Sequence, residues 1–447
     1  MDDVNSSILV LCAGGLEWFV VELMLRDVTA LSREQIRLLT DGIPGPGQAG
    51  VGKILVSFEP TRDVHAVVDI LRLPYIIFVY VTVTVANDVD STSAQDCADR
   101  ITLSRLQAAE LHWRRVNAHI NEILDASEGP ARGHDVLERR KEQQLPPQAV
   151  GQNAGATKFR CSCIRSGSHQ FKSMDVARKV GAVADELMPH WQVDLTNFDL
   201  ELVAIVSGKE PSDASSSWSK LVVGIAVPRH FDQTSKGAVL PKDQSSRADV
   251  LDSNGRPRSF ALRLSHARLL VELACAVLGR VPTIVFDPFA GLSTITIDAS
   301  KHSNHTFGLA SDLDHQVLSA GALRATTCST GFMIADILHL PLRRQIVEAC
   351  IIEAPFGVRC GKSRDLEKLL VKGLDEVWSI LDPHDSVCIL LCTTRRLAAA
   401  LNQSGKWTIA PAVDNDWRIS ALEVWTPGWI RINIGGLLVE LLVFRPK

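Results

Sequence analysis

The chain has 447 residues, 46% of them hydrophobic, with a formal net charge of −4 and a pI near 6.4. A chain of that length holds about three domains with real cores, so a disordered chain is excluded. So is a globally basic nucleic-acid binder, which leaves room only for a local basic patch.

Ten cysteines occur without one C-x-x-C pair, which argues against a structural zinc site or a disulfide scaffold. No metal ligand is assigned. The pattern reads as reduced thiols of an intracellular protein. The opening Met1-Asp-Asp-Val-Asn lacks the basic start of a signal peptide. The most apolar run, 75–86, is too short to cross a bilayer, which takes about 20 residues, so no membrane role is expected.

In chain order, strands are predicted over 8–12, 54–58 and 75–85, with a one-sided apolar helix over 15–25 between the first two. Residues 93–123 read as helical. These segments make an N-terminal α+β domain of ferredoxin-like kind over 1–124, followed by a polar Pro/Gly/Gln linker over 125–157. A second compact unit spans 158–230, with a strand over 158–164, a helix over 174–187 and strands over 200–206 and 220–227. A second linker covers 231–258. From 259 to 447 the pattern becomes α/β. A helix over 262–278 precedes strands over 283–286, 307–311, 332–334, 350–353 and 387–392, with helices over 297–300, 318–326 and 365–381 between them. Such alternation is the signature of a parallel, Rossmann-like sheet.

Three strand ends carry chemistry. The first is Val285-Phe-Asp287-Pro288-Phe-Ala-Gly291-Leu-Ser293-Thr294, where a buried strand runs through a small-residue turn into a helix. Ligands of open α/β sheets bind at such turns, although an ordinary β–α turn has the same outline. Asp312 ends the next strand, where an acid can hold a ribose hydroxyl pair or simply cap a turn. Asp336 ends the third, placed either to accept from an adenine amine or to cap. The most specific stretch is Ile351-Ile-Glu353-Ala-Pro355-Phe356-Gly357-Val-Arg359. The exocyclic amine of a base is a poor nucleophile. A rigid turn offering a carboxylate to its N–H groups and an aromatic ring to its plane suits amine methylation.

This order of motifs resembles the guanosine-N2 RNA methyltransferases that carry a THUMP domain, most of all the eukaryotic THUMP-domain-containing proteins two and three. Lys158-Phe-Arg160-Cys-Ser-Cys-Ile-Arg165-Ser-Gly167-Ser-His169-Gln-Phe171 is similar to the THUMP opening, and Val222-Val-Gly224-Ile-Ala-Val to its closing strand. Cys12-Ala-Gly14-Gly-Leu-Glu17 and Ala261-Leu-Arg263-Leu-Ser-His-Ala resemble the family's N-terminal opening and its pre-catalytic helix. Asn433-Ile-Gly435-Gly436-Leu resembles the final strand turn.

The resemblance implies S-adenosylmethionine as methyl donor and N2 of a guanosine in structured RNA, a tRNA or a small nuclear RNA, as acceptor. It implies a small zinc-containing activator subunit as partner, and work in the cytoplasm or nucleus. Catalytic roles fall to Glu353, Pro355 and Phe356. Cofactor contacts fall to Asp287, Pro288, Gly291, Asp312 and Asp336. RNA contacts fall to Arg160, Arg165, His169, Lys172, Arg263 and Arg359. His169 is alternatively a structural loop histidine. Residues 131–180 carry ten Lys/Arg against four Asp/Glu, an excess of six that either attracts phosphates or solvates a linker.

Two departures stand out: the family usually has Asp at Glu353 and Gly at Ser293. They define the competing reading, a catalytically silent RNA-binding protein that keeps the fold. Acid/Pro/aromatic turns also occur in DNA and protein-amide methyltransferases, a use that the THUMP-like segment argues against.

Overall fold

The computed structural model describes residues 7–39, 52–58, 63–127, 156–166, 169–208, 218–227, 262–325, 328–354, 363–393, 397, 401, 404–409, 430–434 and 437–447. They fall into two compact units. The first holds 7–11, 24–37 and the described residues between 54 and 227. The second holds 12–23, the short stretch ending at Lys53, and the described residues from 262 to 447.

The first unit is built on β1 (Ser7–Leu11), the last turn of α1 (Glu17–Asp27, whose residues 17–23 belong to the second unit), β2 (Ile36–Leu38), β3 (Lys53–Ser57), α2 (Val64–Arg72), β4 (Phe78–Asp90), α3 (Ala94–Asp99) and α4 (Leu103–Ser127). It continues with β5 (Thr157–Ser166), α5 (Ser173–Leu187), β6 (Trp191–Val193), β7 (Leu200–Ser207) and β8 (Trp218–Ala226). Its eight strands run in the order β2-β3-β1-β4-β8-β7-β5-β6. The long antiparallel ladder of β4 with β8, from Tyr80↔Ala226 to Asp90↔Trp218, therefore places strands from the 1–124 and 158–230 segments in one sheet. β4 is richer in Val and Thr than its neighbours and extends to Asp90, past the expected end, because β8 offers pairing partners that far.

The second unit is the expected α/β layer. It contains α6 (Leu264–Leu278), β9 (Ile284–Asp287), α7 (Thr294–His302), β10 (Phe307–Asp312), α8 (His315–Arg324), β11 (Thr330–Ile334) and β12 (Ala349–Glu353). After these come α9 (Ser363–Ile380), β13 (Val387–Cys392), β14 (Trp407–Ile409), β15 (Ile430–Ile434) and β16 (Leu437–Pro446). The strand order is β11-β10-β9-β12-β13-β16-β14, with β15 paired to β16. β9 to β13 are parallel to their neighbours, and β16 returns antiparallel to β13. β9 lies at the centre, with β10 on one side and β12 on the other. The sheet thus reverses its winding beside β9, and in doubly wound sheets a crevice forms at the strand C-termini there.

β12 and β13 are buried on both faces and consist almost wholly of Cys, Ile and Leu, as parallel strands covered by helices require. Phe286, Ile352, Leu390 and Phe444 pack with α9 on one face, where Leu370, Leu374 and Val377 meet them. On the other side Arg268 of α6 holds Asp298 of α7 in a two-pronged ion pair, Nε–Oδ2 2.7 Å and Nη2–Oδ1 2.9 Å. That pair fixes α7 against α6 behind the crevice. Among the described residues no helix is long and apolar enough to cross a membrane.

Candidate active site

Asp287, Asp312 and Glu353 each end a parallel strand, β9, β10 and β12. Because the three strands are adjacent and point the same way, their terminal carboxylates converge at one edge of the sheet. Asp287 is 2% exposed, and burial pushes its carboxyl well above the usual range, with the charges of Glu353 and Asp312 adding to the rise. Its Oδ1 accepts the Phe289 amide at 3.0 Å, which tightens the turn that follows. Pro288 is buried beside it. Proline there donates no amide, so the turn leaves no orphan N–H at that point.

Asp312 organises the crevice wall. Its Oδ2 accepts the Gly291 amide at 2.8 Å and its Oδ1 the Asp314 amide at 2.9 Å. One carboxylate thus ties the β9–α7 turn to the β10–α8 turn. Asp314 then caps α8, accepting from Gln316 and Val317. Asp336 closes the third turn, its Oδ1 accepting the Leu338 amide at 3.0 Å. The turns after β9, β10 and β11 are therefore all fastened by carboxylates.

Glu353 is half-buried, and burial raises its carboxyl to about 7. The next residue, Ala354, still donates to Leu391 of β13 at 3.0 Å, so Glu353 sits on a regular strand rather than a loose loop. Pro355, Phe356 and Arg359, expected to complete the site, lie outside the described residues.

Other parts of the crevice were not legible as functional. The hydroxyls of Thr294 and Ser311 are buried with no hydrogen-bond partner. Leu313 and Ile334 are 66% and 65% exposed, unusual for large aliphatic side chains, and follow or face Asp312 across the β10–β11 register. Gly308 in β10 lets α7 approach: a Cβ there would stand 2.3 Å from the Thr296 carbonyl oxygen. Such contacts join residues distant in sequence, so no local pattern announces them, although a glycine inside a strand is a hint of close backbone approach.

These features fit a nucleoside-bearing cation. The crowded carboxylates favour positive charge, the two exposed aliphatic side chains offer faces to a base plane, and the orphan hydroxyls await a polar partner. Residues 261–414 match the family model described as the RMKL-like methyltransferase domain, and residues 141–210 match the THUMP domain. The chain carries a THUMP domain followed by an RMKL-like methyltransferase domain. It is 24% identical over 329 residues to the tRNA (guanine(6)-N(2))-methyltransferase THUMP3 of Bos taurus, covering 70% of this chain and 54% of that protein. It is 27% identical over 269 residues to the U6 snRNA (guanine-N(2))-methyltransferase THUMPD2 of Bos taurus, covering 58% and 46%. The chain thus spans about half the length of the curated relatives it matches. The crystal structure of TrmN from Thermus thermophilus superposes with a TM-score of 0.52 at 19% identity, over 99% of this chain and 100% of that one, and shares its fold.

In the THUMP segment the structure separates the cations expected to meet RNA. Arg160 is committed to the sheet. Its guanidinium pairs with the buried Glu201 at 3.0–3.1 Å and lies over the Phe198 ring at 4.0 Å. Arg165 donates to the Phe171 carbonyl. His169 bonds the Ser166 carbonyl at 2.8 Å and stacks on Phe171, and desolvation holds its imidazole below its usual value. Both thus bond backbone carbonyls near the end of β5, at Phe171 and Ser166. Lys172 is exposed at the start of α5, with its backbone amide donating to Asp175 at 2.9 Å, and its ammonium group makes no ion pair among the described residues. Arg178 and Lys179 are exposed on the same helix. Arg263 begins α6, where its carbonyl accepts from His266 and Ala267. Cys161 and Cys163 are partly buried thiols, pushed up by burial and not paired with each other.

Proposed function

We propose that the chain transfers a methyl group from S-adenosylmethionine to N2 of a guanosine in structured RNA, a tRNA or a small nuclear RNA. The convergence of Asp287, Asp312 and Glu353 at the C-terminal edge of adjacent parallel strands carries this reading. When bound, the cofactor supplies an electrophilic methyl on a cationic sulfur. Asp312 and Asp336, flanked by Leu313 and Ile334, would hold its nucleoside end, and the buried Asp287 would face its charged end. Glu353 would accept a hydrogen bond from the guanosine amine, orient the nitrogen lone pair in line with the methyl, and take up the proton that the nitrogen releases. Phe356 would stack on the base and Pro355 would fix the turn. To enter, the guanosine must leave its stack, so the THUMP domain would hold the RNA by shape and backbone while the pocket selects the base.

We assign RNA contact chiefly to Lys172, with Arg165, His169, Arg263 and Arg359 as further candidates, and give Arg160 an indirect role through the sheet. The domain limits 1–124, 158–230 and 259–447, a small zinc-containing activator subunit and a cytoplasmic or nuclear site of action belong to the same reading. The test is transfer of labelled methyl to RNA followed by nucleoside analysis. N2-methylguanosine supports the reading. Cofactor-free, label-free protein that still binds RNA would favour the silent RNA-binding alternative raised by Glu353 and Ser293.

A further inference from the structure

Ser293, in the β9–α7 turn, adopts φ 61° and ψ 28°, the left-handed region where a Cβ crowds the backbone. A serine before a helix ordinarily sits in the extended region and caps the first turn. This one makes no capping bond; its side chain is fully buried and its Oγ has no hydrogen-bond partner. The reason it can remain there lies on α8. A Cβ built on Gly321 would stand 2.7 Å from Ser293 Oγ and 3.0 and 3.1 Å from the carbonyl carbon and oxygen of Leu292. Gly321 therefore leaves the notch that the Ser293 side chain occupies. Arg324, one turn along α8, donates to the Leu292 oxygen at 3.2 Å and holds the same stretch of backbone.

We infer that Gly321 and Ser293 are a matched pair, in which the missing side chain on α8 keeps the serine turned into the fold and the β9–α7 turn open to the cofactor. Gly321 is thereby a positioning residue: it touches no ligand and acts through Ser293. The pair accounts for how a side chain stands where a glycine turn would be the easy solution. In the same turn the Gly291 amide holds Asp312 and Thr294 starts α7. This inference rests on the cofactor reading above.

The test is a double-substitution cycle on the full chain: wild type, G321A, S293G and S293G/G321A. Binding of S-adenosylhomocysteine is followed by calorimetry and folding by thermal unfolding. G321A is expected to weaken binding about tenfold or more, since small displacements of a site residue are costly. In the S293G background the same G321A change is expected to cost less than about threefold, because its closest clash is gone. A G321A protein that binds as wild type does, or a cost that is equal in both backgrounds, overturns the pairing. If G321A does not fold, recovery of folded protein by adding S293G supports the pairing and failure to recover it overturns it. Wild type that binds no S-adenosylhomocysteine would instead overturn the cofactor reading, and the pairing is then judged on the four melting temperatures, whose additivity would refute it.

Discussion

In the proposed reaction Glu353 would make methyl transfer titratable in an accessible range. Only the carboxylate can accept the guanosine proton, and burial raises this carboxyl to about 7. One pH unit below that midpoint about 9% of the group is ionised, and one unit above about 91%, so the single-turnover rate should rise about tenfold from pH 6 to pH 8. Asp287 and Asp312 face the same crevice, and Asp287 is raised as well, so cofactor affinity must be followed over the same range to separate binding from chemistry. The assay is quench-flow methyl transfer with excess enzyme and cofactor, repeated on E353Q. That variant should lose at least about 100-fold in rate, the low end of general-base catalysis, and lose the pH limb with it. A wild-type rate that is flat between pH 6 and 8, or a limb that survives in E353Q, refutes the role given to Glu353. The same burial has a stability consequence of known sign. The raised group stabilises the fold fully only below its unfolded value of 4.5. As pH climbs through about 7 the fold forgoes about 3 kcal/mol.

Three further outcomes follow from the geometry. D312A removes the acceptor shared by the Gly291 and Asp314 amides; calorimetry should show S-adenosylhomocysteine binding weakened about tenfold or more, as loss of charge-assisted bonds implies. R160M strands the buried Glu201 and should lower stability by about 3 kcal/mol without changing the salt dependence of RNA binding, whereas K172A should leave stability intact and reduce the salt slope by about one. R268M leaves Asp298 buried and unpaired on its Arg268 side; unfolding should fall by about 3–5 kcal/mol, or roughly 10 °C in Tm.

Most of the α/β half of the chain was legible because its strands are short, apolar and mostly separated by helices of clear period, and each candidate acid stands at or just past a strand end where a local pattern exposes it. The antiparallel return through β14, β15 and β16 was not, beyond the resemblance of Asn433–Leu437 to a final strand turn: its pairing is long-range, and β16 carries no polar alternation that would set it apart from a buried helix. Helix α2, Val64–Arg72, was missed for want of length. Arg160 enters as an RNA contact through the resemblance of its segment to the THUMP opening. Its partner Glu201 lies 41 residues on and is brought opposite only by the β5–β7 register. Ser293 reads in sequence only as a departure from the family's glycine, because Gly321, 28 residues later, comes beside it only when α8 packs.

The most direct measurement is methyl transfer itself: the full chain, with and without an activator subunit, incubated with labelled S-adenosylmethionine and total RNA, then digestion to nucleosides. The account expects label in N2-methylguanosine, lost in E353Q and dependent on pH as above. Label in another nucleoside would contradict the pocket assigned here, and absence of label from every RNA fraction, beside an active relative as control, would contradict the central claim.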